Sequence, residues 1–210
     1  LEFRRVLFRS GSDYALYQKA MIYGLLGKNE DKISALQKIA SSYPKSPYID
    51  DAIFEIANVY LQIENNTKAI DGFDNIIKNY PRSAYIRKAI QYKGIAQRNA
   101  GKDDDALETF KKLALEHCNT EEARQVLMVV EDIYVSKGET DEYLDFLKLT
   151  NCKVISPTYQ DSITYEAAFN QYKANDCTKA SKLLGQYISR FAGGFFILKA
   201  NYFKAECDFK

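Results

Sequence analysis

The chain holds few side chains of the kind catalysis requires. It has one histidine, His117, four cysteines (Cys118, Cys152, Cys177 and Cys207) and a run of three aspartates, Asp103, Asp104 and Asp105. A general base or a zinc ligand needs partners at set spacings. No such partners flank His117, which shares a position with Tyr43, Tyr80 and Phe191 in a repeating pattern and reads as a packing residue at a helix end. The cysteines lie 34, 25 and 30 residues apart with no Cys-x-x-Cys pair, so no metal site is expected. A disulfide between Cys118 and Cys152 is conceivable, but free thiols are the expectation for all four. Asp103–Asp105 lacks the alternating ligands and the glycine of a calcium loop, and reads as a solvated helix start. Gly193-Gly194 stands without a phosphate-cradling loop and reads as a break between repeat units. Asn65-Asn66-Thr67 matches a glycosylation acceptor only formally. These residues predict a non-enzymatic chain without cofactor or metal.

The composition narrows the class further. Of 210 residues, 46% are hydrophobic and 27% charged, which suits a packed globular chain rather than a disordered one. Twenty-nine basic residues against 28 acidic leave a net charge of +1, which argues against bulk binding of nucleic acid or an anionic membrane. No apolar run is long enough for a membrane-spanning helix. With 16 Tyr, 12 Phe, 4 Pro and no Trp, the composition leans toward helices packed by tyrosine and phenylalanine.

Whatever positions these side chains is periodic. Tyr43–Ala52 (YPKSPYIDDA) recurs 37 residues later as Tyr80–Ala89 (YPRSAYIRKA). The same period aligns small residues at Ala20, Ala57, Gly94, Ala168 and Ala205, interrupted by Glu131, and a turn column of Gly27, Glu64, Gly101, Gly138 and Asn175. A second set runs Lys32, Ala69, Ala106, Tyr143 and Ala180, followed four residues on by Leu36, Phe73, Phe110, Leu147 and Leu184. Apolar residues at helical spacing predict two helices per unit. The turn column suits the left-handed residue that ends a helix. Ser46 before Pro47 reads as an N-cap with proline at the first helical position, and Ser83 and Thr120 share that column. Glu131 and Tyr143, large where the other units are small, predict a kink or looser packing in the fourth unit.

These columns resemble the tetratricopeptide repeat, whose small residue, Tyr, Ala, Phe and Pro are met by Ala57, Tyr60, Ala69, Phe73 and Pro81. The resemblance covers residues 12–210, about five and a third repeats, and implies an all-α, right-handed α-solenoid of antiparallel helix hairpins. The period is three longer than the family's usual length of about 34. The extra residues fall in KSPYI and RSAYI, which predicts a longer first helix. This variant is similar to repeats of bacterial envelope proteins, outer-membrane assembly lipoproteins and Tol–Pal-associated factors. The resemblance implies a protein or peptide partner in a concave groove lined by first helices. The matching positions are Tyr14, Tyr17, Met21, Phe54, Asn58, Lys88, Gln91, Arg98, Met128, Tyr165 and Phe169, some of which could instead pack between units. Family members that clamp a C-terminal dicarboxylate need basic and amide residues where this chain has Tyr17, Met21, Glu55, Lys88 and Tyr92. Only Lys88 fits, so that subclass is not expected.

The first ten residues, LEFRRVLFRS, resemble a translated sequencing adaptor and are set apart from the array, residues 11–210. The expected function is a non-enzymatic protein-interaction scaffold, and the resemblance implies a role in the bacterial cell envelope. The alternatives are a docking region of a larger enzyme or regulator, and carbohydrate binding on the aromatic face.

Overall fold

A computed structural model describes residues 2–150 and 155–209, with side chains from residue 11 onward. The expectation that residues 1–10 stand apart concerns side chains outside the described residues. The described residues form eleven helices and no strand: α1 (Glu2–Leu25), α2 (Asn29–Ser42), α3 (Ile49–Gln62), α4 (Asn66–Asn79), α5 (Ile86–Asn99), α6 (Asp103–Glu116), α7 (Glu121–Lys137), α8 (Thr140–Thr150), α9 (Pro157–Lys173), α10 (Cys177–Arg190) and α11 (Ile197–Asp208). The chain divides into two compact units, one ending at Phe110 and the other beginning at Lys111. In the first, α1 pairs with α2 and α3 with α4, while α2 packs on α3 and α4 on α5. In the second, α7 packs on α8 and α9, α9 pairs with α10, and α10 packs on α11. Each unit is thus the expected stack of antiparallel hairpins.

The turns follow one physical rule. Gly27, Glu64, Gly101, Gly138 and Asn175 all adopt positive φ, between 60° and 74°. At each, the next residue's N–H reaches back five positions: Lys28 to the Tyr23 carbonyl, Asn65 to Tyr60, Lys102 to Gln97, Glu139 to Tyr134 and Asp176 to Gln171, at 2.8–3.0 Å. This closing pattern satisfies carbonyls that the helix end would otherwise leave orphaned. Each tight turn brings the two small columns face to face. Ala57 and Ala69 are fully buried, as are Ala106, Ala168 and Ala180. Behind them Leu36, Phe73, Phe110, Leu147 and Leu184 fill the core completely.

Three expectations are corrected. Ser46 does not cap a helix that starts at Pro47. Its hydroxyl accepts the Tyr48 N–H at 3.2 Å and donates to Asp13 at 2.7 Å, and α3 begins only at Ile49. Ser83 holds the Tyr85 N–H in the same way at 3.1 Å, ahead of α5. Only Thr120 caps as expected, accepting the Ala123 N–H. The extra residues of the repeat therefore build a connector, and α3 and α5, at 14 residues, are no longer than α4. Pro44 and Pro81 explain this, because a residue before proline is driven out of the helical region and the helix must stop at Tyr43 or Tyr80. Gly193-Gly194 occupies the equivalent connector between α10 and α11, as read. There the Asp161 carboxylate accepts the Phe195 N–H at 2.8 Å. A side chain on Gly194 would run into the Tyr187 hydroxyl and Asp161.

The fourth unit is not loosely packed. Tyr143 is fully buried, and its hydroxyl donates to Glu131 at 3.0 Å. The two large residues replace an alanine–alanine contact with a hydrogen-bonded pair. Burial, reinforced by the Glu131 charge, holds the Tyr143 phenol above its ordinary value. Glu131→Ala should therefore cost about 1–3 kcal/mol by removing the carboxylate that accepts from the buried Tyr143 hydroxyl and leaving it the long 3.5 Å contact with the Tyr159 hydroxyl. At the turns, Glu64→Gly should gain about 0.5–1 kcal/mol by removing a Cβ from a left-handed residue. Gly138→Ala should lose at least as much, since its Cβ would also meet Leu183 at 2.8 Å. Urea denaturation of the three variants checks all of these signs.

Candidate functional site

The expected groove residues separate into core and surface once the first helices are placed. Phe54 is 5% exposed and stacks on Tyr85, ring centroids 4.5 Å apart and planes within 20°. Tyr165 is 7% exposed and stacks on Phe196 at 4.4 Å. Gln91 is 8% exposed. These three are core positions rather than groove anchors. The cause is a repeated stack: an aromatic just before each next first helix lies flat on the ring 31 residues earlier. Tyr17 and Tyr48 make the same pair at 5.5 Å and 20°. The partner rings sit inside the motif already visible in the sequence. Tyr48 and Tyr85 follow the serine of YPKSPYI and YPRSAYI by two residues, and Phe196 follows Gly194 likewise.

The remaining expected residues lie nearer the surface. Met21, Asn58 and Phe169 are half-buried, with Met21 against the first hydrophobic cluster and Phe169 against Phe203 at 4.9 Å. Lys88, Arg98 and Met128 are exposed, Met128 by 72%. Tyr14 is 47% exposed and leans on Tyr48 at 5.7 Å. In the second unit Tyr165 is buried, Phe169, Tyr172, Phe196 and Phe203 are half-buried and pack on one another, and Phe195 and Tyr202 are exposed.

The first unit keeps a surface of its own. Tyr14 and Tyr17 on α1 lie against Tyr48 before α3, and Tyr17 and Tyr85 (before α5) stand beside the carboxylates Asp51 and Glu55 of α3. Tyr85 donates to Asp51 at 2.8 Å, and Glu55 pairs with Lys32 of α2 at 2.6 Å. Burial raises the Tyr17 phenol, and the neighbouring Asp51 and Glu55 charges raise it further. Burial and the hydrogen bond to Asp51 do the same for Tyr85. These hydroxyls stay protonated at neutral pH and serve as donors. The sequence reading passed over Asp51 and the covering role of Tyr48 and Tyr85, although all three stand in or beside the YPxS motif.

The residues considered for chemistry are dispersed. His117 is half-buried at the end of α6, its N–H on the Leu113 carbonyl, in the position that Tyr43, Tyr80 and Phe191 occupy after α2, α4 and α10. Among the described residues no group of three or more His, Cys, Asp or Glu is gathered to hold a metal ion. No helix among them is long and apolar enough to cross a membrane. Asp103–Asp105 forms the first turn of α6, as read. Cys177 and Cys207 are free thiols, but Cys118 is disulfide-bonded, which overturns the expectation that it is free. It sits in the turn between α6 and α7, off the buried face, where a thiol can meet a partner. Cys152 lies outside the described residues.

Three segments of the chain, residues 14–46, 51–83 and 88–117, match the tetratricopeptide repeat model. No curated protein matches the sequence. Among solved structures, a tetratricopeptide repeat protein from Parabacteroides merdae superposes with a TM-score of 0.58 at 11% identity, over 95% of this chain and 73% of that one. A Podosopora anserina kinesin light chain with nearly identical TPR-like repeats superposes with a TM-score of 0.52 at 14% identity, over 85% of this chain and 94% of that one. At these identities the likeness is one of fold.

The division of the aromatic column generates a test. Phe54→Ala should destabilise the protein by about 3–5 kcal/mol, as removal of a buried ring does. Tyr14→Ala should change stability by less than about 1 kcal/mol, because its ring is largely outside the core. Thermal or urea unfolding of the two variants reads the difference directly.

Proposed function

We propose that this chain, whose residues 14–117 carry three tetratricopeptide repeats, is a non-enzymatic protein-interaction scaffold. Its partner would lie across the first-helix face of the first unit. One observation carries the reading: Tyr14, largely exposed, and Tyr17 and Tyr48, both half-buried, lie against one another as one ring surface beside polar groups. Half-exposed aromatics on a rigid helical scaffold are the usual anchors for a partner segment. Proteins built of these repeats are in general scaffolds rather than catalysts.

The finer reading places this scaffold in the bacterial cell envelope. The disulfide at Cys118 supports an oxidising compartment such as the periplasm, because cytosolic thiols are kept reduced. The likeness of the 37-residue unit to envelope repeat proteins supports the same placement.

The double variant Tyr14→Ala, Tyr17→Ala should weaken capture of a native partner by roughly tenfold or more and leave helical content intact. Lys78→Ala and Lys112→Ala, on exposed positions of the second helices α4 and α6, should leave capture unchanged. Pull-down from envelope and cytosolic fractions, with circular dichroism on each variant, decides both face and compartment. Loss of the partner in the second-helix variants alone would move the binding surface to the other side.

A further inference from the structure

The chemistry of the first-unit surface is specific enough to name what it accepts. We infer that the Tyr14–Tyr17–Tyr48 face, with the Asp51 carboxylate beside it, takes a cationic side chain, arginine or lysine, from an extended segment of a protein partner. The inference rests on the reading of this face as the partner surface and adds to it the partner's chemistry.

Three observations carry it. The rings of Tyr14 and Tyr17 both lie against Tyr48, at 5.7 and 5.5 Å, so that the three make a continuous aromatic surface rather than isolated side chains. Aromatic faces carry negative electrostatic potential and attract a guanidinium or ammonium placed over them. Second, carboxylates stand at the edge of this surface. Both Asp51 and Glu55 act on the Tyr17 and Tyr85 hydroxyls. Lys32 pairs with Glu55, whereas Asp51 accepts from the neutral hydroxyl of Tyr85. Third, the position one repeat after Asp51 is a cation, Lys88 of α5, and it is exposed. The sign of the surface therefore changes between α3 and α5, and a basic residue is favoured only on the tyrosine side. A partner segment with an apolar anchor followed by acidic residues would fit the rings but leave Asp51 unmatched.

Two fluorescein-labelled twelve-residue peptides with identical apolar positions serve as probes, one bearing three arginines and the other three glutamates. Anisotropy titration should show the arginine peptide binding roughly tenfold tighter than the glutamate peptide, with the preference falling as salt is raised. Asp51→Asn retains an acceptor for Tyr85 but removes the charge, and should lower the preference several-fold with circular dichroism unchanged. Tyr17→Ala should do the same. Equal or tighter binding of the glutamate peptide, or an unaltered preference in Asp51→Asn, would overturn the inference. So would binding of an N-acetylglucosamine oligosaccharide with no binding of either peptide. The scaffold reading fails separately, through the pull-down with second-helix variants. A glutamate peptide that binds and is lost in Tyr17→Ala would leave that reading standing while removing this one.

Discussion

Two helices can approach as closely as α3 and α4 do only where neither carries bulk at the crossing. A single added Cβ at Gly72 would lie 2.7 Å from the Ala57 side chain. Gly94, one repeat after Ala57, is likewise without room, because the ring of Phe110 already fills the space its Cβ would need. Everything else in the fold depends on this contact. It brings the following Leu or Phe into the hairpin core, and it requires a turn short enough to reverse the chain within a few residues. The left-handed residue at each turn meets that requirement.

Once the hairpins are formed, their exposed edges have to be joined, and aromatic rings supply the joint. The ring on one first helix is covered by the ring that precedes the next, as in Phe54 on Tyr85 and Tyr165 on Phe196. At the first hairpin the same geometry operates with an added ring, Tyr14, and this pair keeps more solvent contact than the buried ones. The surface assigned to a partner is thus a packing device left partly uncovered. Its carboxylates belong to the same helices that build the joint, which is why structure and recognition share residues here.

Much of this was legible in the sequence because close packing imposes residue types at fixed spacing. The small columns, the Leu or Phe four residues on, and the turn at Glu64 and Asn175 all sit where the period places them. Side-chain direction was less legible. Tyr14, Tyr17 and Phe54 are all aromatic and all on first helices, yet only Phe54 is sealed, and the ring that seals it lies 31 residues away. Glu131 and Tyr143 show a second limit. Each is anomalous alone, and only their hydrogen bond reveals a compensated pair. Ser46 shows a third, since a serine before proline suits both a helix cap and the two-residue turn that the chain adopts.

The recurrence of one turn geometry every 37 residues also bears on how such a chain can change length over generations. Excising one full period joins residues that are equivalent in every respect that matters locally: Tyr48 would precede Ile86 as it now precedes Ile49. The reading frame of helices, turns and ring stacks would be preserved, and the product would be a shorter array of the same kind. Losing a single residue within a helix is a different event. It rotates everything beyond it by about 100° and turns the small column away from its partner. Genetic drift in this architecture is therefore quantised, with whole repeats exchanged readily and single-residue insertions or deletions confined to the connectors.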